Sequence, residues 1–127
     1  MIWRAAGKIL EDHWILGIGP GNFQTEYLAY QKYFPPYLEW AVPHPQNVYL
    51  TFWLYGGILG MLGFLGTLYF YFAEIFGKIK SASGNAPLYL VSFGIMFYFL
   101  LHGLVDTTIF KNDLAVVFWL NFLVLRR

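Results

Sequence analysis

Three short stretches carry most of the side chains that could do chemistry. His44, Gln46 and Asn47 stand in PHPQN (43–47), directly before a long apolar run. His102 and Asp106 lie four residues apart at the end of a second run, which places them on one helix face. Lys111, Asn112 and Asp113 introduce a third. An imidazole can take the proton of an attacking hydroxyl, and cationic and amide donors can stabilise a departing phosphate. The set therefore suits group transfer at a membrane-bound anionic leaving group. The same residues also suit plainer work. Asn47 and Asp113 are good N-cap types, and Lys111 could pair with Asp106 or Asp113. Ionisable groups near membrane depth are costly and are read as functional by default, which favours function for the cluster as a whole.

Other chemistries lack their residues. There is no HExxH for a zinc hydrolase, no GxSxG nucleophile elbow and no GxxxxGK[ST] phosphate loop. The chain has no cysteine, which excludes disulfides and thiolate metal sites. No metal site and no cofactor is expected. GIGPGN (17–22) has Asn22 where a dinucleotide fingerprint needs glycine, and it reads as a structural turn in which three glycines around a proline permit positive φ. A net charge of +1 with no basic stripe argues against nucleic acid.

The elements that must position these groups are apolar helices. The 127 residues are 58% hydrophobic and only 12% charged, against about 25% charged in soluble domains. Val48 to Ala73 has no charged residue over 26 positions, roughly 39 Å of helix against a hydrocarbon core of ~30 Å. Ala86 to Leu101 is also uncharged, and Leu114 to Leu125 is a shorter third run. The expected fold is all-α: a polytopic membrane helical bundle with spans over about 47–76, 86–105 and 112–126, in a unit of 47–127, beneath an extracytoplasmic, interfacial helical head of 1–46. Lys78 and Lys80, with Arg126 and Arg127, put the first loop and the C-terminus on the cytoplasmic side. Residues 1–46 and the 103–112 turn then face outward.

In the head, Ile2, Ala5, Ala6, Ile9 and Leu10 recur at helical spacing, which predicts a short amphipathic helix lying in the interface. The series Phe23, Tyr27, Tyr30, Tyr33, Phe34, Tyr37 and Trp40 predicts a second helix, stopped by Pro35-Pro36, whose aromatics suit the headgroup region. They could also stack on sugar rings. Gly56, Gly60, Gly63 and Thr67 form a small-residue stripe of the kind that admits another helix. It predicts further transmembrane helices outside this chain, or an oligomer.

WRAAGKILEDHWILGIGPGNF (3–23), PHPQNVYLTFWLYGGILG (43–60) and HGLVDTTIFKNDLAVVFW (102–119) together resemble the C-terminal half of the O-antigen ligase/polymerase family, in the family's order and over almost the whole chain. The resemblance implies a polytopic GT-C-type glycosyltransferase of the bacterial cytoplasmic membrane. Such enzymes take a glycan from an undecaprenyl-diphosphate carrier, without a metal, and pass it to lipid A-core, another glycan or a protein. It implies His44 or Gln46 as the catalytic position, because the family's histidine followed by Asn, Ser or Gln aligns on Gln46, with His44 two residues earlier. Asn47, Asp106, Lys111 and Arg4 are the implied substrate-binding residues. Arg4 stands in for a family arginine that would fall before Met1, so the chain is expected to be a fragment of one longer membrane domain, with little transfer on its own.

Two readings follow. In the first, the chain is the C-terminal part of a ligase or polymerase, with lipid-linked donor, glycan or lipid A-core acceptor and membrane lipids as partners. In the second, it is a non-enzymatic small membrane subunit that docks through its glycine stripe. A transporter fragment is weaker, since no charged residue sits at mid-membrane depth in the two longer runs.

Overall fold

The computed structural model describes residues 2–35, 42–81 and 85–126. Tyr37 and Trp40 of the aromatic series and Arg127 of the basic C-terminus lie outside them. The described residues are helical, with no strand: α1 (Ile2–His13), α2 (Phe23–Gln31), α3 (Val48–Ser81), α4 (Ala86–His102) and α5 (Asn112–Leu123), with single 3-10 turns at Thr108–Phe110 and Val124–Arg126.

The apolar run that begins at Val48 is not one straight rod. Gly57 has φ 61° and ψ −157°, a conformation open essentially only to glycine, and it divides α3 into limbs of 48–56 and 58–81. The bend is sharp. In a straight helix Phe52 and Phe64 would stand about 18 Å apart along the axis, yet their rings stack with centroids 4.1 Å apart. Tyr49 also meets Phe64, edge to face at 5.9 Å. The first limb thus folds back beside the second. Gly60 lies where the limbs approach: a Cβ there would come within 2.8 Å of the Phe52 carbonyl oxygen.

The break frees backbone groups from their helical partners, and the 13–22 loop takes two of them. Leu54 O and Ile58 N form the i to i+4 pair that a continuous helix would bond. Instead the Ile18 amide donates to Leu54 O at 2.6 Å, and the Ile58 amide donates to Ile15 O at 3.2 Å. Gly17 and Gly57 make this approach possible, because a Cβ on either would collide with backbone across the contact. Gly17, Gly19 and Gly21 all have positive φ, as the turn reading predicts. The stripe has a different meaning in consequence. Gly57 separates Gly56 from Gly60, and Gly60 is explained by the chain's own fold. Gly63 remains open, with nothing near a Cβ placed there.

Two cores result. The head packs Ala5, Ala6 and Ile9 of α1 and Phe23 and Tyr27 of α2 around Leu54 of the first limb. Phe23 and Tyr27 are fully buried, so these two form the head's core instead of sitting as interfacial anchors. The second core joins Phe64, Leu68, Tyr71 and Ile75 of the second limb to Tyr89, Met96 and Phe99 of α4 and Phe118 of α5. A buried polar clasp runs through it. Tyr71 Oη and Ser92 Oγ are 2.7 Å apart, Ser92 Oγ donates to Asn121 Oδ1 at 2.8 Å, and Asn121 Nδ2 donates to Ser92 O at 3.1 Å.

Among the described residues one helix, α3, is long and apolar enough to cross a membrane. Its second limb alone reaches about 36 Å. Only 28% of its apolar window is buried, which is far from the mostly buried core helix of a soluble domain. Tyr69, Phe70, Val91, Val116 and Leu120 extend the exposed apolar surface over all three helices. The 17 residues of α4 and the 12 of α5 are short for independent spans.

Candidate functional site

Residues 42–47 run between α2 and α3, and hydrogen bonds to several elements hold that segment. Trp3 Nε1 donates to Pro45 O at 3.1 Å, tying it to the start of α1. Asn47 is the N-cap of α3: its Oδ1 accepts the Leu50 amide at 2.9 Å. Its Nδ2 donates to Leu104 O, also at 2.9 Å, beyond the end of α4. The Val48 amide donates to Gly103 O at 2.8 Å, so the first turn of α3 is bonded twice to the α4–α5 turn. Pro45 is fully buried between these ties. Gln46 alone among the described non-glycine residues has positive φ, 49°, and its side chain is exposed. The left-handed step at Gln46 turns the chain so that Asn47 can cap the helix.

His44 is half-buried, and its Nδ1 lies 2.9 Å from the Tyr55 hydroxyl. Tyr55 comes from the first limb of α3, whose hairpin at Gly57 brings that limb over the loop. Its ring meets Phe110 edge to face at 5.7 Å, and Phe110 also touches Phe52 at 5.2 Å. The Tyr55 ring is therefore backed by aromatics drawn from both α3 and the 108–110 turn.

The second polar group forms in the α4–α5 turn. Lys111 Nζ donates to Asp106 Oδ2, and the Thr107 amide donates to Oδ1 at 2.7 Å. His102 Nε2 lies 3.5 Å from the same carboxylate, with its ring stacked on Tyr98. Lys111 beside it, with the Thr107 amide, holds the Asp106 carboxyl below the usual carboxylate range. Asp106 and Lys111 thus satisfy one another, as the plainer reading allows. The Thr108 hydroxyl is buried with no hydrogen-bond partner among the described residues.

The predicted residues are brought together unevenly. His44, Gln46 and Asn47 share one loop, and Asn47 links it to the turn that carries Asp106 and Lys111. Arg4 is exposed on α1, its guanidinium 5.0 Å above the Phe34 ring, and contacts none of the others. Its neighbour Trp3 still brings that end of α1 to the loop. In the head, Tyr30 Oη donates to Asp12 Oδ2 at 2.7 Å, a bond that pushes the phenol up to about 12 and latches α2 to α1. No group of three or more His, Asp or Glu that could hold a metal gathers among the described residues. Tyr55 is the member that sequence reasoning missed. Within an uncharged run it reads as one more apolar aromatic, and only the fold of α3 turns its hydroxyl to His44.

A sequence profile described as O-antigen ligase matches residues 1–65. No curated protein and no solved structure matches the chain. The family is one of membrane proteins, and it suggests a membrane glycosyltransferase-like role on glycan and lipid-linked substrates. The matched stretch is just over half of the chain and holds α1, α2, the His44 loop and the break at Gly57, and on that match the chain belongs to the O-antigen ligase family.

Proposed function

We propose that this chain is the C-terminal part of a membrane glycosyltransferase that moves a glycan from an undecaprenyl-diphosphate carrier to an acceptor hydroxyl. The observation that carries the reading is the His44 loop, pinned to α1 through Trp3 and to the α4–α5 turn through Asn47, within the stretch that matches the family. The acceptor oxygen attacks the anomeric carbon, the bond from that carbon to the diphosphate oxygen breaks, and its electron pair leaves with the carrier. The hydroxyl proton passes to the His44 ring. Gln46 presents an exposed amide beside it to orient the acceptor. Asn47 holds the loop, and Asp106 with Lys111 braces the turn beneath. Arg4 is the exposed cation of this chain nearest the loop along α1, and it faces the diphosphate.

The three apolar helices set this group at one membrane surface. The bundle spans the bacterial cytoplasmic membrane with the loop outward, because Lys78, Lys80 and Arg126 fall at the opposite end. Residues 1–46 form the extracytoplasmic head, joined by the first limb of α3.

The test is glycan transfer in cells in which the gene carrying this chain replaces a deleted relative. His44→Ala is expected to lower transfer at least a hundredfold with normal protein levels in the membrane, the scale of a lost general base. Undiminished transfer by the His44→Ala, Gln46→Ala double variant would remove both from the chemistry and leave the non-enzymatic subunit.

A further inference from the structure

We propose that Tyr55 is the positioning residue for His44, fixing the ring so that Nε2 is the nitrogen presented to the acceptor. The inference rests on the reading of His44 as base. The two nitrogens of a neutral imidazole have opposite roles, one donor and one acceptor, and the bond made by one decides the role of the other. Here Nδ1 is engaged, 2.9 Å from the Tyr55 hydroxyl. Nε2 makes no hydrogen bond among the described residues. A base at Nε2 needs its lone pair there and its proton on Nδ1, so the Nδ1–H donates and the phenol oxygen accepts. That oxygen has two lone pairs, and the Gly21 amide lies close enough to interact with the same hydroxyl. The arrangement continues to serve when Nε2 takes a proton, since the imidazolium also donates from Nδ1.

The surroundings make Tyr55 a fixed acceptor and not a surface phenol that happens to be near. Phe110 packs against its ring, and Phe52 packs against Phe110. Its own helix limb is fixed by the hairpin at Gly57, where Ile18 bonds Leu54 O. The 13–22 loop thus acts on the site through the clamp at the helix break. In this role Tyr55 touches His44, and His44 touches the acceptor.

Tyr55→Phe removes the hydroxyl and keeps the ring that packs on Phe110. Nitrogen-15 spectra of the detergent-solubilised chain, with histidine labelled and His44 assigned by its alanine variant, read the tautomer directly. The expected result is Nδ1–H for His44 in the wild type and a mixture of tautomers in Tyr55→Phe. Transfer by Tyr55→Phe is expected to fall about tenfold in kcat with KM for the acceptor unchanged, a fraction of the hundredfold or more that a general base supplies. A wild-type His44 protonated at Nε2, or a Tyr55→Phe variant with unchanged tautomer and unchanged kcat, overturns the proposal. Loss of the base reading itself shows separately: His44→Ala then transfers like wild type whatever the tautomer.

Discussion

At the scale of single residues, Gln46 is where conformation and chemistry pull apart. A β-carbon in the left-handed region costs roughly 1–2 kcal/mol, and Gln46 bears that cost at φ 49° with no hydrogen bond among the described residues to offset it. Gln46→Gly is therefore expected to raise the stability of the loop by about 1 kcal/mol, seen as a higher unfolding midpoint in detergent. The same change removes the amide proposed to orient the acceptor, so KM for the acceptor should rise. Higher stability with unchanged KM would assign Gln46 to the turn alone. Asn47 is the contrasting case. Its oxygen and nitrogen are both occupied by backbone groups, so the residue's type reports a cap and a bridge more directly than a substrate contact.

At the scale of elements, the hairpin of α3 and the loop that clamps it are one device. The apolar run from Val48 is legible in the sequence, and so is the turn at 17–22. Their union is not, because it depends on backbone groups that carry no side-chain signature. Gly57→Ala meets two obstacles together: a φ that residues with a β-carbon rarely adopt, and a Cβ in collision with the Ile15 carbonyl. The expected outcome is a loss of about 3 kcal/mol or more, from backbone strain and the broken clamp together. Limited proteolysis of membrane vesicles should then cut the 13–22 loop faster than in the wild type, where its backbone is bonded to Leu54 and Ile58. Gly63→Ala is the control, because a Cβ at Gly63 meets open space and the change should leave proteolysis as in wild type.

At the scale of the whole molecule, three apolar helices need something that fixes their register. In the membrane bundle proposed above, tails of lipid and tails of leucine are alike, so apolar burial alone distinguishes poorly between helix positions. The Tyr71–Ser92–Asn121 clasp supplies that distinction, with one residue from each of α3, α4 and α5. Asn121→Ala takes away the acceptor of Ser92 Oγ and the donor to Ser92 O, and is expected to lower bundle stability by about 1–2 kcal/mol. An unfolding titration in mixed micelles measures it. An unchanged midpoint would mean that the bundle keeps its register without the clasp.

Composition and periodicity determined that this chain is helical and apolar, that α1 is amphipathic with Ala5, Ala6 and Ile9 on one face, and that the polar residues gather before and between apolar runs. They did so because hydrophobic spacing is a local property, written in each run separately. The resemblance carried by residues 3–23 and 43–60 pointed to the family that the match over 1–65 shows. The tertiary structure alone decided that the run from Val48 doubles back at Gly57, that Phe23 and Tyr27 form the head's core, and that Tyr55 faces His44. Each of these depends on a close approach between segments far apart in the chain. The free backbone groups of a broken helix must find partners wherever a glycine lets the chain come near, and no local pattern says which loop will supply them.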